Sequence, residues 1–196
     1  MAAGPVGGAM AGARSNPPQG FVVWFEGLPG AGKTTVSRAV SEGLRARGAS
    51  TEILDGEDVR RTFFPELGFS RKDRETHARR VSHLAQILAR HGTVVLVAMI
   101  TPYETSRQAA RAVVEVPFVE VWLKCPLEVC EQRDPRGLYR RNRQGEVKRI
   151  TGIDDPFEEP LSPELIVDSG ASPVDACARR VLDYVVSKGL ASPVGT

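Results

Sequence analysis

The sequence has few cysteines, little net charge and no long hydrophobic run. Its three cysteines, Cys125, Cys130 and Cys177, are odd in number and lack the spacing of metal or redox motifs. We therefore expect buried free thiols, which indicate a reducing cytoplasm. No apolar run approaches the length that crosses a membrane. The formal charge of +2, from 26 basic and 24 acidic residues, lacks the basic excess of a general nucleic-acid binder.

The two ends of the chain are predicted to lie outside a single folded domain. Residues 1–19 are rich in Ala, Gly and Pro, with Arg14 as their only charged residue, and contain no continuous apolar segment. This composition predicts a disordered leader rather than a signal peptide. Residues 20–190 are long enough for one domain with a substantial core, and residues 191–196 are predicted to form a tail.

Alternating strand and helix patterns predict an α/β fold. Short apolar runs indicate strands at residues 21–25, 51–55, 93–100, 118–123 and 165–168. Helical patterns lie at residues 34–47, 57–64, 105–114, 126–133 and 173–186. A further helix is predicted after Ser70, whose spacing to Asp73 resembles a capping box. This order predicts a five-stranded parallel sheet covered on both faces, a three-layer α/β/α sandwich, with residues 134–163 as a lid.

One short segment carries the strongest chemical signal. Residues 27–34, GLPGAGKT, match the phosphate-binding motif G-x-x-x-x-G-K-[ST], with an apolar strand before it and a helix after it. This context favours a P-loop NTPase-type nucleotide site over a Gly-rich turn without function. Lys33 is predicted to contact the β- and γ-phosphates and Thr34 to bind Mg²⁺. The predicted ATP contacts are Gly27, Leu28, Pro29, Gly30, Ala31, Gly32, Lys33, Thr34 and Thr35.

Asp55 is the candidate catalytic acid–base group. It ends the second predicted strand, and parallel α/β sheets bind ligands at the carboxyl ends of their strands, so Asp55 should face the same crevice as Lys33. A carboxylate there can accept a proton from an attacking hydroxyl or hold a metal-bound water. Asp55 can also cap the helix that follows it, and the two roles are compatible.

Cationic side chains are concentrated on the acceptor side and in the predicted lid. Arg60 and Arg74 can bind phosphate or sulfate oxyanions, and Phe69 lies near them in the sequence. Between residues 133 and 149 the basic residues are Arg133, Arg136, Arg140, Arg141, Arg143, Lys148 and Arg149. A solvated charge run is one interpretation. We favour a cationic lid that closes over triphosphate, because the run lies in the long irregular segment of a nucleotide-binding domain.

The chain resembles the adenylylsulfate kinase family from about residue 21 to residue 190. The matching segments are VVWFEGLPGAGKTT, LDGEDVR, LGFSRKDRETHARR, ITPYETSR, PLEVCEQRDPRGLY and TGIDDPFEEP. The resemblance implies that Asp55 activates the acceptor hydroxyl and that Arg133 lies near the adenine of ATP. It assigns to the acceptor site Arg60, Phe69, Arg74, His77, Ile100, Thr101, Leu138, Lys148 and Ile150.

Several positions depart from the usual residues of that family. His77 stands where the family usually has Asn, and Ile150 where it has a Phe that stacks on the acceptor adenine opposite Phe69. An Ile retains apolar contact but loses a stacking interaction of about 1–3 kcal/mol. Thr101 for Ser and Glu57 for Asp keep their functional groups.

The resemblance implies a kinase that phosphorylates the 3′-hydroxyl of adenylyl sulfate with MgATP. It also implies a homodimer and ATP sulfurylase as the pathway partner, with no nucleic-acid or membrane partner. Ile150 and His77 motivate an alternative, a P-loop kinase acting on another nucleotide or small metabolite. A regulatory nucleotide-binding protein without turnover is a third hypothesis, opposed by the intact Lys33, Thr34 and Asp55.

Overall fold

The computed structural model describes residues 20–193. The predicted leader and residues 194–196 of the predicted tail lie outside the described residues. The strands are β1 (Val22–Glu26), β2 (Thr51–Asp55), β3 (Val94–Ala98), β4 (Phe118–Lys124) and β5 (Leu165–Asp168). The helices are α1 (Lys33–Arg45), α2 (Gly56–Phe63), α3 (Arg71–Ala89), α4 (Glu104–Val113), α5 (Leu127–Arg133), α6 (Leu138–Arg143) and α7 (Val174–Ser187).

The five strands form one parallel sheet in the order β2-β3-β1-β4-β5. Helices α1 and α7 pack on one face, and helices α3 and α4 pack on the other. This confirms the predicted α/β/α sandwich. In β1, Val23 and Phe25 belong to the hydrophobic core on the α1 and α7 face of the sheet. Val22 and Trp24 belong to the core on the α3 and α4 face. Because both faces of the strand are covered, it appears in the sequence as a continuous apolar run.

The start of α3 follows from its capping residues. Asp73 N donates to Ser70 Oγ at 3.2 Å, and Ser70 N donates to Asp73 Oδ2 at 3.3 Å. These reciprocal bonds form the capping box that the sequence spacing predicts. They fix the first turn of the helix whose buried side carries Arg74 and His77.

The segment predicted to be irregular contains one helix that the sequence analysis did not predict. Helix α6 begins after Gly137, which has φ of 63° and provides no side-chain cap. The carboxylate of Asp134 instead accepts bonds from the backbone N–H groups of Tyr139 at 3.2 Å and Arg140 at 3.0 Å. Because this cap lies three residues before Gly137 and not at the usual N-cap position, the sequence carries no recognisable start signal for the helix. The rest of the segment includes an isolated bridge between Thr151 and Asp155. Its role as a lid stays a prediction.

All three cysteines are free and buried, which confirms the prediction of buried thiols. Within residues 20–193, every helix is too short or too polar to cross a membrane.

A buried charged cluster lies on the face of the sheet covered by α4. Glu26 at the end of β1 is fully buried, and its Oε2 lies 3.4 Å from Nε of Arg107. Neither carboxyl oxygen of Glu26 has a hydrogen-bond partner among the described residues. Burial raises the pKa of Glu26 to about 10, since desolvation outweighs the attraction of Arg107. Glu26 is therefore a neutral acid at neutral pH.

We expect Glu26→Gln to stabilise the protein increasingly as pH rises from about 5 to about 8. The unfolded chain loses the Glu26 proton near pH 4.5, whereas the folded chain keeps it to about pH 10. The favourable contribution of Glu26 is therefore complete below pH 4.5 and is lost as pH rises towards 10. The wild-type unfolding free energy should fall by up to about 1.4 kcal/mol per pH unit relative to the variant.

Urea unfolding across this pH range measures the effect. Glu52→Gln, at an exposed position of β2, is the matched control and should follow the wild type. Parallel pH curves for Glu26→Gln and wild type would show that Glu26 is ionised in the folded protein.

Candidate active site

A cavity of about 950 Å³ opens at the carboxyl ends of the central strands. Its phosphate end is lined by residues 29–36, which include the predicted ATP contacts from Pro29 to Thr35. Its opposite end is lined by Gly56, Glu57, Arg60, Phe69, Arg74, His77 and residues 98–102, and Asp55 lies beside the P-loop between the two ends. Residues 133–136, Leu138, Tyr139 and Arg141 come from the predicted lid segment. One cavity therefore extends from the P-loop to the residues predicted to bind the acceptor.

Glycine is required at two P-loop positions by close backbone neighbours. A Cβ on Gly27 would lie 2.6 Å from the carbonyl oxygen of Leu123, and one on Gly30 would lie 2.8 Å from that of Cys130. Both residues also have positive φ, 142° and 80°. The loop consequently passes tightly between β4 and α5, and its backbone N–H groups and the start of α1 can face a phosphate.

Lys33 is held inside this loop. Its Nζ donates to the carbonyl oxygens of Gly27 at 2.9 Å and Leu28 at 2.8 Å. Gly27 and Leu28 do not line the cavity, and their carbonyl oxygens hold Lys33; their ATP contacts stay predictions. Burial lowers the pKa of Lys33 to about 8, so the ammonium still predominates at neutral pH. The site therefore presents a positive charge beside the backbone of the loop.

Asp55 joins the P-loop to the acceptor side of the cavity. Its Oδ2 accepts a hydrogen bond of 2.5 Å from Oγ1 of Thr34. Its Oδ1 accepts from the backbone N–H groups of Glu57 at 3.0 Å and Asp58 at 3.4 Å, which caps α2. Asp55 both caps the helix and faces the crevice, as the sequence analysis allows.

Phe69 and two arginines form the wall opposite the P-loop. The Phe69 side chain is 55% exposed, and its ring centroid lies 5.1 Å from Cζ of Arg60 and 5.4 Å from Cζ of Arg74. Arg60 donates to the Gly68 carbonyl at 2.7 Å, and Arg74 donates to the Arg149 carbonyl at 2.6 Å. An exposed ring flanked by two fixed cations suits an aromatic ligand that carries negative charge.

His77 provides a neutral donor in the same wall. It is only 2% exposed, and Arg60 Nη2 lies 2.8 Å from its Nδ1. Because an arginine can only donate, Nδ1 accepts and the ring proton resides on Nε2. Nε2 has no partner within residues 20–193. Burial, assisted by the charges of Arg60 and Arg80, lowers the pKa of His77 to about 3.

The wall opposite the P-loop is the predicted acceptor wall, and the turn after β3 borders it. Ile100 and Thr101 line the cavity, and their contact with an acceptor stays a prediction. Thr101 has φ of 42°, which is strained for a β-branched residue. Its Oγ1 accepts a hydrogen bond of 3.0 Å from Nε1 of Trp24. The Thr101 hydroxyl is therefore directed into the protein and bonded to the sheet.

The predicted lid residues occupy different positions. Arg133 lines the cavity and donates to the Ser169 carbonyl at 2.8 Å. Leu138 also lines the cavity. Lys148 is exposed and Ile150 is 3% exposed within the core beneath α1 and α7, and neither lines this cavity. The acceptor contacts assigned to Lys148 and Ile150 stay predictions.

The cavity lining includes Glu57, Arg136 and Tyr139, which were not assigned to the site from the sequence. Glu57 forms an ion pair with Arg136 across the cavity mouth. Tyr139 lines the cavity, and its hydroxyl donates to the Pro29 carbonyl at 2.8 Å, which ties α6 to the P-loop. The basic run contained Arg136, but nothing in the sequence distinguished it from the exposed basic residues beside it.

Comparisons with known proteins support one family. The family model described as adenylylsulphate kinase matches residues 19–168. The adenylyl-sulfate kinase of Geotalea daltonii is 45% identical over 178 residues, covering 90% of this chain and 88% of the relative. The Mycobacterium tuberculosis APS kinase CysC, solved in complex with AMPPNP and APS, gives a TM-score of 0.84 at 41% identity, covering 87% of this chain and 99% of that chain. A hexameric APS kinase from Thiobacillus denitrificans gives 0.68 at 29% identity, covering 91% of this chain and 31% of that chain.

We expect the ring of His77 to stay neutral from about pH 5 to about pH 8, because burial and two neighbouring arginines disfavour its charged form. The measurement is an NMR titration of the histidine ring resonances, with His77→Gln used to assign the resonance that disappears. The His77 resonance should not shift over this range. A titration midpoint near the ordinary histidine value would contradict the hydrogen-bonded neutral form.

Proposed function

The chain belongs to the adenylylsulphate kinase family, and from this we infer that it transfers the γ-phosphoryl group of ATP to the 3′-hydroxyl of adenylyl sulfate. The products are 3′-phosphoadenylyl sulfate and ADP. The observation that carries this function is the continuity of one cavity from the P-loop to the wall formed by Arg60, Phe69 and Arg74. That cavity offers a phosphate cradle at one end and an aromatic, cationic surface at the other.

Phosphoryl transfer of this kind usually depends on Mg²⁺, and the P-loop residues suit that ion. Thr34 Oγ1 and Asp55 Oδ2 lie 2.5 Å apart beside Lys33, and both are hard oxygen donors of the type that Mg²⁺ prefers. No group of three or more His, Cys, Asp or Glu side chains is placed to hold a metal in the described part of the chain. We propose that Thr34 holds Mg²⁺ together with ATP oxygens, with Asp55 close by. When bound, Mg²⁺ neutralises charge on the phosphates.

Asp55 is proposed to act on the acceptor hydroxyl. Its carboxylate stands between Thr34 of the P-loop and the acceptor wall, where it can orient the 3′-hydroxyl and accept its proton as the phosphoryl group arrives. Lys33 lies on the phosphate side and supplies positive charge for the transferring group. The cap to α2 holds the Asp55 carboxylate in place before the acceptor binds.

The acceptor is proposed to lie against Phe69. Its adenine can stack on the exposed ring, while Arg60 and Arg74 provide charge for the phosphosulfate. His77 Nε2–H is a neutral donor without a partner among residues 20–193, so a ligand acceptor atom would satisfy it. His77 can therefore replace the amide donor of the usual Asn without adding charge.

The adenine of ATP is proposed to lie at the Arg133 end of the cavity. The Arg133 guanidinium is fixed by the carbonyl of Ser169 and lies near Cys125. Pro173 and Val174 line the same region. A planar cation with its edge bonded to the protein leaves a face on which a base can stack.

A different acceptor remains the second candidate because of Ile150. Its side chain is buried in the core and does not line the cavity, so Phe69 is the aromatic residue on the acceptor wall that the structure supports. A kinase of this build could then accept another nucleotide or small metabolite. A comparison of ADP release with adenylyl sulfate and with other nucleotide acceptors distinguishes the two functions.

We also propose a homodimer, a cytoplasmic location and ATP sulfurylase as the pathway partner. The hexameric APS kinase from Thiobacillus denitrificans supports self-association in related proteins. Three free buried thiols are consistent with a reducing compartment. Adenylyl sulfate has to come from an enzyme that joins sulfate to the adenylyl group of ATP, which is the sulfurylase reaction.

We expect purified protein to release ADP when MgATP and adenylyl sulfate are supplied together, and mass spectrometry to identify 3′-phosphoadenylyl sulfate. The reason is that the cavity places both ligand sites next to Asp55 and Lys33. Omission of either substrate, or of Mg²⁺, is the control. Turnover with another nucleotide acceptor and not with adenylyl sulfate would reject the main proposal and support the second candidate.

Asp55→Asn should lower kcat by about 10²–10⁴-fold, the usual contribution of a general base. Because Asn is as good a helix cap as Asp, the variant should keep its fold and bind ATP. Steady-state kinetics and ATP binding measure the two effects separately. Asp58→Asn, at an exposed position of the same turn, is the matched control and should retain activity. Full activity of Asp55→Asn would exclude Asp55 as the base.

A further inference from the structure

Arg107 is a buried cation that does not line the cavity. It lies on α4, is 1% exposed, and donates Nε and Nη2 to Oε2 of Glu104 at 3.1 Å and 2.7 Å. Its remaining bonds go to backbone carbonyls: Nη1 donates to Thr101 at 2.9 Å, and Nη2 donates to Glu158 at 2.8 Å. One guanidinium thus connects α4 to two separate chain segments.

The first of these segments is the turn that borders the acceptor wall. Thr101 lines the cavity with a positive φ of 42°, a conformation that a β-branched residue adopts only when its surroundings hold it there. Trp24 bonds the Thr101 side chain, and Arg107 bonds the Thr101 carbonyl. The turn is therefore fixed from both its side chain and its backbone.

The second segment lies near the end of the predicted lid. Glu158 N donates to the Pro102 carbonyl at 2.8 Å, and Glu158 Oε2 accepts from the backbone N–H of Glu104 at 2.7 Å. A few residues earlier in the same segment, Asp155 Oδ2 lies 3.6 Å from Arg74, which lines the acceptor wall. This segment therefore connects Arg107, through Glu158, to Arg74 on the acceptor wall, through Asp155.

We propose that Arg107 is a positioning residue for the acceptor half of the site. It acts through the carbonyls of Thr101 and Glu158, which hold the turn after β3 and the chain beside Arg74 in their binding positions. This inference rests on the proposed function, because the acceptor is taken to bind between Phe69 and this turn. The phosphate end of the cavity has no direct contact with Arg107 in the described residues.

Arg111, on the same helix, separates this role from simple stabilisation. It belongs to the same charged cluster as Arg107, because both arginines contact Glu120. Arg111 pairs with Glu120 at 2.9 Å and with Glu164 at 2.7 Å. It bonds neither Thr101 nor Glu158. Replacing the guanidinium group of Arg111 should weaken the charged cluster without moving the acceptor wall.

The test compares Arg107→Lys with Arg111→Lys in steady-state kinetics with each substrate varied. A lysine keeps the charge but lacks the planar guanidinium whose separate nitrogen atoms reach Glu104, Thr101 and Glu158 at once. Arg107→Lys should raise the KM for adenylyl sulfate by about tenfold and leave the KM for ATP within about twofold. Arg111→Lys should leave both KM values within about twofold of wild type.

Glu104→Gln provides a second variant, because Glu104 is partly exposed and outside the cavity lining. It weakens the anchor of Arg107 and should raise the KM for adenylyl sulfate by about threefold, with ATP unaffected. This variant decides the question if Arg107→Lys does not fold.

If Arg107→Lys folds and its KM for adenylyl sulfate is unchanged, the inference is overturned. If Arg107→Lys does not fold, an unchanged KM for adenylyl sulfate in Glu104→Gln overturns it. A rise in both KM values that Arg111→Lys reproduces also overturns it. Wild-type turnover is measured in the same assay. An active wild type with unaffected variants rejects the positioning role alone, whereas an inactive wild type rejects the proposed function as well.

Discussion

The close passage of the P-loop between β4 and α5 is the constraint on which the site depends. The carbonyl oxygens of Leu123 and Cys130 occupy the space that side chains on Gly27 and Gly30 would need. With glycine at these positions the loop turns back on itself, and its first carbonyls receive the Lys33 ammonium. The same loop accepts a bond from Tyr139 of α6, so the predicted lid segment is attached to it as well. A bulkier loop would displace the lysine and the lid segment together.

Desolvation lowers the pKa of two basic groups in the cavity, Lys33 and His77. Lys33 remains a cation despite a pKa lowered to about 8, while His77 is neutral because its pKa falls to about 3. The two residues lie at opposite ends of the cavity and have different tasks. The phosphate end needs positive charge, whereas the acceptor wall already has Arg60 and Arg74 and gains a donor from a neutral ring. A charged His77 would be both poorly solvated and repelled by Arg60 and Arg80.

Features encoded by adjacent residues could be predicted from the sequence. The P-loop, the capping box of Ser70 and the five strands depend on local spacing and on burial of whole segments, and the structure confirms them. The position of Asp55 followed from the rule that parallel strands end at the same edge. Helix α6 could not be predicted, because Gly137 stands at its N-cap and the side chain that caps it, Asp134, lies three residues earlier than the usual capping position. The Glu26–Arg107 contact joins residues 81 positions apart, and the apolar run before Glu26 gave no sign of a buried acid.

This difference between local and distant contacts has a consequence for specificity. The phosphate end of the cavity is built from one continuous segment, residues 29–36, together with Asp55. The acceptor wall instead combines side chains from α2, the loop before α3, α3 itself and the turn after β3. Its arginine Arg74 is fixed by a carbonyl 75 residues away in the sequence, that of Arg149. A single substitution can therefore change the acceptor wall while the ATP end keeps its geometry, and the departures at His77 and Ile150 both fall on the acceptor side of the family pattern.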